Sequence, residues 1–137
     1  KYDYILIDCP SALGNFTTNA LVASTHYIVP VTPEYFGYKG IKGVLEFINE
    51  IIEHDLNDDL ELMGIIINQF NENVRNRVRK GIAEKIRQSG LATFKTSIRQ
   101  NSDLIKATTN ARSVFAQNEN SNGAKDYSNL VEEIMEM

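Results

Sequence analysis

An aspartate at the end of a short apolar run is the residue of this sequence best placed to hold a metal ion. Asp8 follows the apolar residues 4–7 (YILI) and stands two positions before Pro10. Mg²⁺ takes oxygen ligands and keeps several waters, so a strand-end carboxylate can hold it directly or through a water molecule. The same carboxylate can instead cap the next helix or accept hydrogen bonds from turn amides. The strand and its acid alone leave both interpretations open.

Apolar periodicity along the chain predicts the elements that must position such a residue. Short apolar runs bounded by turn residues predict strands, and apolar residues at three- and four-residue spacing predict amphipathic helices. The predicted strands cover residues 2–8, 26–31, 62–68 and, at a sheet edge, 94–98. The predicted helices cover residues 15–25, 38–54, 74–90, 102–107 (capped by Ser102) and 123–136, with an irregular stretch at 113–116.

The alternation of strands and helices predicts an α/β fold in a single domain over residues 1–137. Parallel strands joined by right-handed crossovers give an open, mostly parallel sheet with helices on both faces. Two helices have a clear inward face. The residues expected to point inward are Val74, Val78, Ile82 and Ile86 in the helix over 74–90, and Tyr127, Leu130, Val131 and Ile134 in the last helix.

Several polar segments follow the ends of the predicted strands. Asp8, residues 32–35 and residues 68–70 each come directly after a strand. Ligands of open α/β sheets bind beyond the carboxyl ends of the strands. We therefore expect these three segments to line one rim of the sheet.

Charge is distributed unevenly along the chain. Its net charge of −4 combines −8 over residues 1–74, +8 over residues 75–112 and −4 over residues 113–137. Such a basic block can be an ordinary solvated helix face, but its size favours contact with a polyanion.

Composition excludes several classes of protein. One cysteine, Cys9, is too few for a disulfide framework or a self-contained cysteine-rich metal site. No apolar run approaches the length of about 20 residues that spans a bilayer, and no export leader is recognisable. These features favour a cytoplasmic protein. Because the chain starts at Lys1 without a methionine and enters a strand almost at once, we expect a segment of a longer protein.

A longer string around Asp8 resembles the ParA/Soj family of partition ATPases, relatives of MinD and the other deviant-Walker ATPases. The string covers residues 2–11 (YDYILIDCPS) and is followed in order by residues 19–21 (NAL) and 28–31 (IVPV). The similarity continues through Gly40, Gly64, residues 94–98 and the terminal Gly123-Ala124-x-x-Tyr127. It implies the carboxy-terminal portion of a P-loop NTPase fold, from the Walker B strand onward, with ATP and Mg²⁺ as cofactors.

The resemblance assigns roles to individual residues. Asp8 corresponds to the Walker B acid, which holds Mg²⁺ through water, and Pro10 lies in the switch that senses the γ-phosphate. Asn68, Ile98 and Asn101 correspond to positions beside the nucleotide base, although Asn68 can also be a turn-forming residue. The sequence departs from the family at Ser11 (second switch proline), at Arg99-Gln100 within Ile-Pro-Arg-Asn, and at Lys106-Ala107-Thr108 in place of Glu-Ala-Pro.

Partners are also implied by the resemblance. Members of the family bind DNA without sequence specificity, dimerise over nucleotide, and respond to a centromere-binding ParB-type protein. This implies a nucleoid-associated protein that segregates a plasmid or chromosome. Membrane binding is not expected, because the last helix is acidic. The residues expected to contact DNA phosphates are Arg75, Arg77, Arg79, Lys80, Arg87 and Arg99.

The phosphate-binding loop of a P-loop ATPase does not occur in these residues. No G-x-x-x-x-G-K-[ST] sequence or deviant lysine-bearing equivalent is present, and residues 37–40 (GYKG) have the wrong spacing. Phosphoryl transfer depends on positioning and charge neutralisation by that loop. We therefore expect no ATP hydrolysis from these 137 residues alone.

Alternative functions come from within the family and from outside it. A MinD-like membrane-recycling ATPase would be expected to end in a basic amphipathic helix, whereas Glu132, Glu133 and Glu136 make the last helix acidic. An iron–sulfur carrier needs more cysteines. A flavodoxin- or receiver-like domain would place a second acid beside Asp8, and none is found. A non-catalytic α/β interaction module that pairs with a separate P-loop chain remains open.

Overall fold

The computed structural model describes residues 1–73 and 75–137 and has an α/β fold. Val74, which we predicted to face the core, lies outside the described residues. The elements in chain order are α1 (Asn15–Val22), β1 (His26–Val31), α2 (Tyr35–Glu53), β2 (Glu61–Ile67), α3 (Arg77–Arg87), α4 (Ser102–Thr109), α5 (Val114–Asn118) and α6 (Asn122–Met135).

The two strands pair in parallel, in a register that runs from His26 opposite Glu61 to Val31 opposite Ile67. A third segment lies along the other side of β2 and pairs only through isolated bridges, Ile65 with Thr93 and Asn68 with Ile98. The predicted parallel sheet is thus confirmed, with two regular strands and an irregular edge.

Helices cover both faces of the sheet, as predicted. On one face, alternate strand residues such as Ile65 and Ile67 pack with Ile41 of α2 and Ile86 of α3. On the other face, Ile28, Met63 and Ile66 pack with Phe94, Ile98, Leu130 and Ile134, so α6 covers this side. Alternating burial of this kind follows from the two-residue period of a strand.

The predicted first strand is not formed, and that prediction was wrong. Residues 1–13 have no strand assignment, and Ile5 and Leu6 are 80% and 94% exposed. No backbone hydrogen bond joins this segment to β1 or β2 within the described part of the chain. An apolar run forms a strand only where another strand supplies ladder partners, and here it has none.

The edge segment at 94–98 was also predicted as a strand and forms only the isolated bridges. Its amides bind carboxylates of α6 in place of a further strand. Lys95 N and Thr96 N donate to Glu133 at 2.7 and 3.0 Å, and Arg99 N donates to Asp126 at 2.9 Å. These side chains satisfy amides that would otherwise form an open sheet edge.

Several local predictions need correction. Asn101, not Ser102, caps α4, because its side chain accepts a hydrogen bond from Asp103 N. The stretch at 113–116 is not irregular but starts α5, which Ser113 caps in the same way.

Val78, predicted to be inward, is 72% exposed, because it lies in the first turn of α3, beyond the part that packs on the sheet. Tyr127 and Val131 are exposed as well, since α6 turns the Leu130 side to the core.

Candidate functional site

The carboxyl ends of β1 and β2 meet in one rim, as the sequence predicts. Asn68 N donates to Val31 O at 2.8 Å, which ties the two strand ends together. Gln69 has a positive φ of 52°, and its amide donates to the Asn68 side chain at 2.9 Å. Phe70 N then donates to Ile98 O at 3.0 Å. The chain therefore turns sharply off β2 and holds the 98–101 loop against the rim.

The three residues predicted to lie near a nucleotide base are brought to this rim, but their side chains have different surroundings. Asn68 and Ile98 face each other in a β-bridge, and Ile98 is 3% exposed, so its side chain belongs to the core. Asn101 Oδ1 accepts from Asp103 N at 2.7 Å. The oxygens of both asparagines thus serve the local backbone. Their Nδ2 groups are donors of the type that a purine ring nitrogen accepts.

The two predicted magnesium-side residues lie elsewhere. Asp8 and Pro10 line a groove of about 690 Å³ that the amino-terminal segment forms with β1, α1 and α2. Ile28 and Pro30 of β1 line the same groove, whereas Asn68, Ile98 and Asn101 do not. The structure therefore separates these predicted residues into two groups. Because Asp8 is exposed, its carboxylate is accessible to a hydrated cation.

An ion pair joins the start of α3 to the start of α2. Arg79 Nη2 contacts Glu34 Oε1, and Arg79 Nη1 lies 3.4 Å from Gln69 O. Glu34 occupies the N-cap position of α2, and Arg79 is in the first turn of α3. The basic block thus begins directly beside the rim.

The six basic residues predicted to contact DNA fall into two sets. Arg79, Arg87 and Arg99 are each paired with an acid: Arg79 with Glu34, Arg87 with Glu72 at 2.5 Å, and Arg99 with Asp126 at 2.6 Å. Arg75, Arg77 and Lys80 make no ion pair with any residue that the structure describes. The second set therefore carries the positive charge that is available to a ligand.

The Arg99–Asp126 pair is the most extensive polar contact near the site. Arg99 Nε lies 2.9 Å from Asp126 Oδ2 and Nη2 lies 2.6 Å from Oδ1, in addition to the backbone bond. The hydrogen bond to Asp126 raises the pKa of Arg99 above its usual value, against the opposing effect of burial. Asp126 is 5% exposed, so the pair fixes the 98–101 loop to α6.

Sequence reasoning missed Asp126, Glu133 and Glu34 as partners of this region. Asp126 and Glu133 are seven residues apart, which puts both on the Leu130 side of α6. Two acids seven residues apart on the same side of a helix as an inward leucine are the signal that could have identified Asp126 and Glu133.

Two further observations concern metal and membrane. Among the residues that the structure describes, no group of three or more His, Cys, Asp or Glu side chains is arranged to hold a metal ion. None of the helices in the described ranges combines the length and apolar character that crossing a membrane requires.

Comparison with known proteins finds Soj and ParA proteins among the relatives of this chain. A family model described as an AAA domain matches residues 1–62. The sporulation initiation inhibitor protein Soj of Bacillus subtilis is 32% identical over 98% of this chain and 52% of its own length. The chromosome-partitioning ATPase Soj of Thermus thermophilus is 31% identical over 98% of this chain and 53% of its own length.

A third relative, the chromosome partitioning protein ParA of Myxococcus xanthus, is 29% identical over 98% of this chain and 47% of that protein. The chain belongs to the ParA/Soj family. It spans about half the length of the curated relatives it matches. Membership of this P-loop family agrees with the parallel α/β fold and confirms the resemblance on which the site predictions depend.

Proposed function

We propose that this chain supplies the carboxy-terminal half of a ParA-type partition ATPase. The observation that carries the proposal is the similarity to Soj and ParA proteins along nearly the whole chain, at about half of their length. The whole protein binds and hydrolyses ATP with Mg²⁺, dimerises over nucleotide, and responds to a ParB-type partner. It acts in the cytoplasm, on the nucleoid, in segregation of a plasmid or chromosome.

Asp8 is the residue of this chain that we assign to the Mg²⁺ shell, through water, with Pro10 in the adjoining switch. Both lie in the exposed amino-terminal segment beside β1. In the whole protein, strands from the remainder of the domain pair with this segment and bring Asp8 toward the nucleotide. The phosphate loop comes from that remainder. Asn68 and Asn101 lie on the base side of the nucleotide, with their Nδ2 groups as donors, and the buried Ile98 positions the loop that carries Asn101.

The ATPase assignment is tested by changing Asp8 to Ala in the whole protein, with Asp3 to Ala as a matched control five residues away. Loss of a residue that orders the metal shell should lower Mg²⁺-dependent ATP hydrolysis about 10- to 100-fold. The control should keep the wild-type rate. Equal rates for both variants would contradict the role of Asp8, and hydrolysis by the 137-residue chain alone would contradict the need for the missing loop.

We also propose that the basic block binds DNA phosphates without sequence specificity. Arg75, Arg77 and Lys80 support this best, since Arg79, Arg87 and Arg99 are paired with acids. Each phosphate contact releases about one counterion, so affinity should fall steeply with salt. The three paired arginines contribute less to DNA affinity and more to the position of their segments.

Alanine replacement of Arg75, Arg77 and Lys80 together should weaken DNA binding and reduce the slope of log K against log salt concentration by about 3. Replacement of Lys1, Lys42 and Lys125 changes the net charge equally and serves as the matched control. Binding is measured by fluorescence anisotropy over a salt series. If both triple variants lose affinity equally, net charge and not this surface determines binding.

A further inference from the structure

An exposed aromatic pair begins α2 at the rim of the sheet. Phe36 is 83% exposed and Tyr35 is 58% exposed, and their ring centroids lie 5.5 Å apart in an edge-to-face arrangement. Lys39 Nζ lies 4.7 Å from the centroid of the Tyr35 ring. A single exposed aromatic residue needs no explanation. Two adjacent aromatic rings with a lysine over one of them form a contact surface that the fold itself does not use.

The backbone beneath this aromatic pair is tightly packed. A Cβ on Gly37 would lie 2.3 Å from Thr32 O, so the first turn of α2 rests directly on the backbone that leaves β1. Glu34 N also donates to Thr32 O at 2.7 Å, and the Pro33 side chain is fully buried. Tyr35 and Phe36 therefore project from an ordered turn. A backbone fixed in this way loses little conformational entropy when a ligand binds at the turn.

Positive charge adjoins the aromatic pair. The Arg79–Glu34 contact brings the first turn of α3 beside the first turn of α2, and it neutralises Glu34 at this junction. Arg77 begins α3 and Arg75 lies two residues before it; both are exposed, as is Lys39 on α2. Neither α2 nor α3 has an acid in its first turn, and Glu34, the N-cap residue of α2, is paired with Arg79. The amino ends of helices attract phosphate. The surface thus combines aromatic faces with separate cationic positions.

We propose that Tyr35 and Phe36 form a stacking platform for unpaired bases, and that Lys39, Arg75 and Arg77 hold the adjoining phosphates of single-stranded DNA. Bases of an intact duplex stack on each other and present no free face to a protein ring. Unpaired bases stack on aromatic side chains irrespective of sequence, while cations track the backbone. This inference rests on the proposed basic surface and extends it, because the aromatic pair adds affinity only for single strands.

The test compares two labelled probes on the whole protein, a 20-nucleotide oligo(dT) and a 20-base-pair duplex, by fluorescence anisotropy. The Tyr35→Ala, Phe36→Ala double variant should lose about tenfold or more of its affinity for oligo(dT). Its affinity for the duplex should stay within about twofold of wild type. The matched control is Phe115→Ala, which removes an aromatic residue that is also exposed but lies on α5. This control should leave both affinities unchanged.

Three results would overturn the inference. The double variant could keep its oligo(dT) affinity, or it could lose affinity for both probes equally. The third result combines two findings: the wild-type protein shows no preference for single strands, and the double variant has a different oligomeric state by light scattering. The aromatic pair would then be an interface between copies of the chain. The Arg75, Arg77 and Lys80 variant tests the basic surface separately through the duplex probe, so failure of the proposed function is distinguishable from failure of stacking.

Discussion

The amino-terminal segment and the 94–98 segment have similar apolar patterns and opposite surroundings. Both were predicted to be strands. Residues 1–13 form no ladder and expose Ile5 and Leu6. The 94–98 segment instead buries Phe94 and Ile98, whose amides donate to carbonyl oxygens of β2. Pattern alone therefore does not determine the conformation. The two segments differ in the hydrogen-bond partners of their amides and in the packing of their side chains.

The edge segment is held by partners distant in the chain. Ile65 and Ile67 supply backbone groups on one side, and the carboxylates of Asp126 and Glu133 supply acceptors from α6. The same loop continues to Asn101 at the candidate base site, so the stability of this segment and the geometry of the site depend on the same contacts. The segment that carries Asp8 has no corresponding support in these residues.

The largest expected effect is a matched pair of isoleucine substitutions, one in each segment. Ile98→Ala removes a buried side chain and should lower the free energy of unfolding by about 3 kcal/mol. Ile5→Ala removes an exposed side chain and should change it by about 0.5 kcal/mol or less. Urea denaturation of the chain measures both. A comparable loss for Ile5→Ala would mean that the amino-terminal segment is packed in solution, and the contrast between the two segments would not hold.

The regular part of the fold was predictable because local pattern and long-range packing agree there. Residues 26–31 and 62–68 were predicted as strands, and β1 and β2 match them within a residue. The rim that brings Asn68 to Ile98 also follows from parallel strands with aligned carboxyl ends. Consecutive β-branched residues, such as the isoleucines at 65–67, strongly favour a buried strand.

The rest could not be predicted because it depends on contacts between residues far apart in sequence. Glu34 and Arg79 are 45 positions apart, and Arg99 and Asp126 are 27 apart. The charge pattern therefore overestimated the free positive charge, since it could not separate paired arginines from unpaired ones. The amino-terminal segment can form a strand only beside another strand. No sequence pattern within the segment indicates whether such a neighbour is present.

A second, smaller effect is expected from the Arg99–Asp126 pair. Asp126→Ala removes the acceptors of the Arg99 backbone and side chain and should cost about 3 kcal/mol or somewhat less, since Arg99 is partly exposed. Glu34→Ala breaks a more exposed pair with Arg79 and should cost about 1 kcal/mol or less. Chemical denaturation compares the two variants. Equal losses would show that Asp126 does not hold the edge segment more firmly than a surface ion pair does.

The smallest expected effect is a dependence on pH that arises from Glu133. Burial raises the pKa of Glu133, but the hydrogen bonds from Lys95 and Thr96 outweigh it, so the net pKa lies below the ordinary value of 4.5. A carboxylate with a lowered pKa stabilises the fold above about pH 4.5, and this stabilisation is lost as pH falls through the folded-state pKa. Glu133→Gln should therefore cost about 1 kcal/mol at pH 7 and much less at pH 3.

The control for this prediction is Glu132→Gln, which neutralises the exposed neighbour on α6. It removes the same charge without touching the 95–96 amides, so the difference between the two variants isolates the edge contact. Urea denaturation at pH 7 and pH 3 gives the comparison. A cost for Glu133→Gln that is equal at both pH values would mean that the carboxylate acts through packing. The edge segment would then be held by the burial of Phe94 and Ile98. It would differ from the amino-terminal segment only in how far its apolar side chains are buried.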